Sequence, residues 1–166
     1  VLKASGYVTG VFGKWGLGPV GSEGDPNRQG FDTFFGYACQ TLAHNYYPGH
    51  LWQNQEKIVL DENYPDQKGA YAPIRIHEQA LSFIRDHKDT SFFLFYPTTI
   101  PHAELIAPDS CMDKFRGMFL PEKSYQGTDS GERFRKGPYA SQEECHATFA
   151  AMISLLDQQV GEIRAM

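Results

Sequence analysis

Two ionisable side chains stand where a small anion could be held. Lys14 lies inside "FGKWGLG", at the end of a β-rich stretch, and His102 lies inside "YPTTIPHAEL", after a nearly continuous apolar run. In an α/β sheet, ligands bind outside the carboxyl ends of the strands. Glycines beside Lys14 let the backbone approach a ligand closely, and the ammonium is a compact positive charge suited to an oxyanion. Pro97 and Pro101 restrict the loop that carries His102, so its imidazole is held rather than mobile. A lysine and a histidine at the ends of two strands could share one anion. Each also has an ordinary alternative: a lysine after a strand is commonly solvated, and a histidine in a proline-rich loop commonly serves as a structural hydrogen-bond partner. His44, in "AHNYYP", sits among aromatic and polar residues, a mixture found in sugar sites and in plain packing alike. His77 falls on the apolar stripe of a helix and reads as a core histidine. Glu143 and Glu144 suit the dipole at the start of the last helix.

The elements that must position these groups follow from periodicity. Residues 7–14 are β-rich and bounded by glycines, and read as a short strand. The Gly- and Pro-dense stretch after it is loop. Residues 31–37, "FDTFFGY", form a second aromatic strand, and residues 51–60 a hairpin about a polar centre. Ile74, His77, Leu81 and Ile84 recur at spacings of three and four, which predicts a helix over residues 70–87. The run "SFFLFYP" fits a strand covered on both faces. Residues 108–138 are expected to be loop. Residues 141–163 form the final helix, with Phe149, Met152, Ile153, Leu156, Val160 and Ile163 as its buried stripe. Helix followed by buried strand points to α/β architecture. No internal repeat and no second domain is visible.

The 166 residues are enough for one domain with a real core. A hydrophobic fraction of 41% places the chain among globular proteins. The net charge of -5 argues against a nucleic-acid partner, which would need concentrated Lys and Arg. No apolar run is long enough for a membrane span. Cys39, Cys111 and Cys145 show no metal-binding spacing and read as isolated thiols. "VLKASGY" reads as a helix tail closed by Gly6, and the last helix runs to Met166 without a stop signal, so the chain is expected to be an internal piece of a longer protein.

The same segments carry a resemblance. "GYVTGVFGKWGLG" resembles the sulfatase signature G-Y-x-T-x-x-x-G-K-W-x-L-G, and "GFDTFFGY" the aromatic segment after it. "AHNYYPGHLWQN" is similar to a segment of arylsulfatases that act on carbohydrate sulfates. "FFLFYPTTIPHAEL" resembles the strand and loop bearing a catalytic histidine, and "AAMISLLDQQVGEI" the helix that precedes a metal-binding segment. The resemblance implies an alkaline-phosphatase-like α/β sandwich (the sulfatase fold), with a mostly parallel sheet and flanking helices. It implies hydrolysis of sulfate esters, either a sulfated carbohydrate or an aryl sulfate, in a periplasmic or secreted protein. It implies a formylglycine made from the Cys or Ser of a C/S-x-P-S-R motif, and a calcium ion (Ca2+) that offsets the sulfate charge. By position, Lys14 would bind a sulfate oxygen. His102 would contact sulfate or protonate the departing alcohol as a general acid, and His44 would sit in the sugar subsite.

Two departures bear on that reading. The signature usually has histidine where this chain has Gly16, which removes one proton-handling group. No C/S-x-P-S-R segment occurs, nor do the family's calcium-ligand segments, so nucleophile and metal ligands are expected outside residues 1–166 and the piece alone is expected to be inactive. A phosphatase or phosphonate hydrolase of the same superfamily, and a non-catalytic module binding sulfated glycans, are the alternative readings.

Overall fold

The computed structural model describes residues 1–166. The chain divides into two compact units, one joining Val1–Ala43 to Tyr47–Thr99 with Met166, the other joining His44–Tyr46 to Ile100–Ala165.

The first unit is built on a five-stranded sheet. Its strands are β1 (Val8–Lys14), β2 (Thr33–Tyr37), β3 (His50–Gln53), β4 (Glu56–Val59) and β5 (Phe92–Phe95), in the order β4-β3-β2-β1-β5. β1 runs parallel to β2, with Lys14 opposite Tyr37, and parallel to β5, with Val11 opposite Phe95. β2–β3 and β3–β4 are antiparallel, so the sheet is mixed, and the expected hairpin turns at Asn54 and Gln55. Successive residues of β1 face opposite sides of the pleat. Phe12 joins Phe35, Ile76, Ala80 and Phe83 on one side, and Val11 joins Trp15, Phe34 and Ala38 on the other.

Helix α1 (Ala72–His87) supplies the first of those two layers, with a proline in its opening turn where a missing N–H costs nothing. Its buried face differs from the expected stripe. His77 and Ile84 are buried as foreseen, but Ile74 and Leu81 are only half-buried, and Ile76, Ala80 and Phe83 take the centre. Gly10 explains the turn of the helix: a Cβ there would lie 2.9 Å from the Phe83 ring, so the glycine makes a hollow that the ring fills. Phe83 then meets Phe12 at 5.3 Å and Phe92 at 5.9 Å between centroids.

β5 also departs from expectation. It is an edge strand, and its residues alternate instead of being covered on both faces. Phe92 and Leu94 pack into the α1 layer, while Phe93 and Phe95 stay 39% and 43% exposed against the stacked ring of Phe31. A continuous apolar run records the lack of polar residues and carries no information about sheet position.

In the second unit, a short helix α2 (Asp109–Met112) packs on α3 (Cys145–Ala165). The expected start of α3 at residue 141 is corrected to Cys145. Its expected stripe is also corrected: Met152 is buried, but Phe149 is 47% exposed, and Ile153 and Val160 are exposed as well. The buried face is made of Ala147, Thr148, Ala151, Met152, Leu155 and Gln159. Small residues win because Ala147 and Ala151 let Met112, Cys111 and Phe115 approach closely. The helix bears apolar residues on both sides, so spacing alone could not choose between them. Glu143 and Glu144 stand directly before α3, where negative charge suits the helix dipole. The Glu122 carboxylate, distant in sequence, accepts the N–H groups of His146 and Ala147 at 2.9 Å each.

Two aspartates of the first unit tie loops to the sheet. The buried Asp25 carboxylate accepts hydrogen bonds from the N–H groups of Gly21 and Asn27 and from Gln55 Nε2 at 2.6, 2.9 and 2.7 Å. Burial raises its pKa, but these bonds outweigh burial and hold it below the usual 3.8. Asp32 is held below 3.8 chiefly by Lys3, whose Nζ is 2.6 Å away, against the opposing effect of burial and with help from Thr9. A carboxylate with a lowered folded pKa stabilises fully above its unfolded value, and that stabilisation is lost as pH falls through the folded value. Denaturant unfolding as a function of pH should therefore show the full and constant contribution of this pair above about pH 5 and a decline below about pH 4. Asp25→Asn should flatten that decline, and an unchanged acid limb in the variant would contradict the assignment.

Candidate functional site

Lys14 closes β1, where three strand ends are tied together. Its N–H donates to Pro97 O at 2.8 Å, and the N–H of Trp15 donates to Tyr37 O at 2.9 Å. Gly13 makes the first contact possible. Its φ of +142° lies outside the range most residues adopt, and a Cβ there would stand 2.1 Å from Pro97 O. The Trp15 indole N–H donates to Gly24 O at 2.7 Å and folds the glycine-rich loop back. Lys14 thus occupies the carboxyl-terminal rim of the parallel strands, as expected from the sequence. Gly16, the departure from the signature, has φ +72°, and a Cβ there would stand 2.5 Å from Gln40 Cγ. The glycine fits both a left-handed backbone and a space already filled by Gln40.

The second unit gathers a polar cluster from three separate segments. His44 and Tyr46 come from the first segment, His102 and Glu104 from the second, and Tyr139 from the third. The rings of His44 and His102 lie 5.1 Å apart between centroids, and Tyr139 lies 5.3 Å from His44 and 5.8 Å from His102. His44 Nδ1 is 3.1 Å from Gly137 O. A carbonyl only accepts, so this nitrogen bears the proton, and in the neutral ring Nε2 keeps the lone pair. His102 Nε2 is 3.0 Å from Tyr139 Oη.

Beneath the rings the cluster is closed. Tyr46 is buried, and its hydroxyl points at His102 O, 3.5 Å away. Burial, and then the charge of Glu104, raise its pKa and keep the phenol protonated. Glu104 is 3% exposed, and its Oε2 accepts the N–H of Ala140 at 3.2 Å. Gln142 Nε2 donates to Leu105 O at 2.8 Å, and the N–H of Thr128 donates to Tyr139 O at 2.9 Å. The segment around residues 137–142 lacks helix or strand, yet its backbone is held from both sides.

Of the residues singled out from sequence, His44 and His102 are brought together, and Lys14 belongs to the other unit. His77 is buried, as a core histidine should be. The three cysteines are free, and burial, followed by the charge of Glu122, raises the Cys145 pKa, which leaves a poor nucleophile. Tyr46, Glu104 and Tyr139 were missed. Glu104 stands two residues after His102 and could have been weighed with it. Tyr139 lies in a stretch without periodicity, and no local signal marks it. No three His, Cys, Asp or Glu side chains gather in a group that could hold a metal ion. The cluster can bind a polar ligand and transfer a proton through an imidazole of fixed orientation.

Comparison with known proteins agrees in direction. A family model described as "Sulfatase" matches residues 1–166. An uncharacterised sulfatase of Schizosaccharomyces pombe is 23% identical over 199 residues, which covers 98% of this chain and 36% of that protein. The ulvan-active sulfatase of Formosa agariphila is 28% identical over 157 residues, covering 90% of this chain and 27% of that protein. Among solved structures, Ps i-CgsB superposes with a TM-score of 0.64 at 21% identity, covering 99% of this chain and 34% of that one. The structural neighbours have the expected alkaline-phosphatase-like fold. The chain spans about a third of the length of the relatives it matches.

Glu104 gives a stability test of the cluster. Glu104→Ala would remove this acceptor from the half-buried N–H of Ala140, a cost of about 1 kcal/mol. Glu104→Gln retains an acceptor oxygen and should recover most of that loss in denaturant unfolding. Wild-type stability in the alanine variant would show that the contact does not hold residues 137–142.

Proposed function

Because this chain belongs to the sulfatase family, we propose that it forms part of an enzyme that hydrolyses sulfate esters on carbohydrates. The observation that carries this reading is the match of the sulfatase model along the whole of residues 1–166. The carbohydrate assignment is supported by the name of the ulvan-active relative, and by aromatic and histidine side chains gathered around His44. An exported protein, periplasmic or secreted, suits a polymeric substrate of this kind, and no helix is long and apolar enough to cross a membrane.

In this reading the Lys14 ammonium neutralises a sulfate oxygen at the end of β1. Negative charge moves toward the leaving oxygen as the ester bond breaks, and a fixed cation on the sulfate helps hold the anion in place for that step. His102 gives a proton to the departing alcohol oxygen as the sulfur–oxygen bond breaks, which avoids expelling an alkoxide. His44 lines the place where the sugar rests, with its ring for apolar faces and its polar edge for hydroxyls.

Formylglycine and calcium belong to the proposal as groups that would supply a nucleophilic oxygen and a divalent charge. The residues of this chain do not fit either one: it has no C/S-x-P-S-R segment and no three-donor metal cluster, so no step here runs through them.

The test uses the full-length protein. Lys14→Ala and His102→Ala should each lower the rate of sulfate-ester hydrolysis at least about a hundredfold, the scale expected for positioned charge and acid groups. Near-normal turnover in either variant removes that residue from the reaction.

A further inference from the structure

His102 is a useful proton donor only if its ring keeps one orientation while its charge changes. Its neighbours meet that need in an unusual way. Tyr139 Oη lies 3.0 Å from His102 Nε2. A hydroxyl both donates and accepts. With Nε2 held by the phenol, the proton that passes to the departing oxygen is the one on Nδ1; Nε2–H then donates to the phenol oxygen in the charged and in the neutral ring alike, so the contact survives loss and gain of the proton.

The phenol is itself held. The N–H of Thr128 donates to Tyr139 O, and the N–H of the next residue, Ala140, donates to buried Glu104. Gly127 lies so close that a Cβ on it would stand 2.3 Å from Tyr139 O. Two residues before Tyr139, the Gly137 carbonyl binds His44 Nδ1, and Pro138 between them has a fixed φ. One short rigid segment therefore sets the orientation of both histidines.

We propose that Tyr139 is a positioning residue for His102, holding the imidazole through the proton transfer from residues 137–139, which the family resemblance does not mark. The proposal rests on the reading of His102 as the proton donor. In the full-length protein, Tyr139→Phe keeps the ring and removes only the oxygen. With a sulfated monosaccharide as substrate, whose alcohol leaves only with a proton, kcat should fall about tenfold, the scale of one lost orienting bond, while KM stays within about twofold. The tautomer signature of the His102 ring, read by NMR on isotope-labelled imidazole, should change in the same variant, as packing alone would not require. In a His102→Ala background the substitution should cost nothing further, because Tyr139 acts through that ring. An unchanged tautomer signature, an unchanged kcat, or an equal loss in the His102→Ala background would overturn the proposal. Failure of the underlying reading looks different: His102→Ala itself turns over normally, which removes both residues from the reaction.

Discussion

A reactive side chain on an irregular segment is only as precise as the hydrogen bonds that hold its ring, and in this protein those bonds come from one stretch of chain. The Gly137 carbonyl engages His44 and the Tyr139 hydroxyl engages His102. The stretch has no helix or strand of its own, so its position depends on contacts made to neighbouring segments. Buried Glu104 holds Ala140, and Gln142 holds Leu105. The carboxylate that fixes the third segment thus lies two residues from one of the histidines it helps to orient. Burial, and after it the charge of the same acid, raises the Tyr46 pKa, which keeps that phenol neutral. Charge, burial and orientation are coupled here by one side chain.

Lys14 is placed by different means. Its position follows from sheet geometry: three parallel strand ends joined through the Pro97 and Tyr37 carbonyls, with Gly13 giving the close approach. Such a placement puts the ammonium on a backbone tied from two sides. Gly16 and Gln40 occupy the adjoining turn together, and a side chain at position 16 would meet Gln40.

Much of this was legible in the residues themselves. Strand β1, the hairpin, α1, and the strand-end placement of Lys14 follow from β-propensity, glycine boundaries and spacing. What periodicity could not supply was direction. In α3, apolar residues occur on both sides of the helix, and the close approach of α2 selects the alanines. In α1, the hollow at Gly10 turns the helix toward Phe83. In β5, an edge position exposes Phe93 and Phe95, which the run of apolar letters suggested were covered. His44 and His102 could each be singled out from local context, but their pairing could not, because it depends on long-range contacts. Tyr139 was invisible for the same reason: its partner lies 37 residues away and its own segment has no pattern.

The fold and family are shared with sulfatases, and the relatives matched are about three times longer than this chain. We propose that the whole protein cleaves sulfate esters. Lysine and imidazole can serve phosphate as well as sulfate, so the decisive measurement is a paired assay of the full-length protein on a sulfated oligosaccharide and on its phosphorylated counterpart. The account predicts release of inorganic sulfate with little or no release of phosphate. Release of phosphate in preference to sulfate would contradict it.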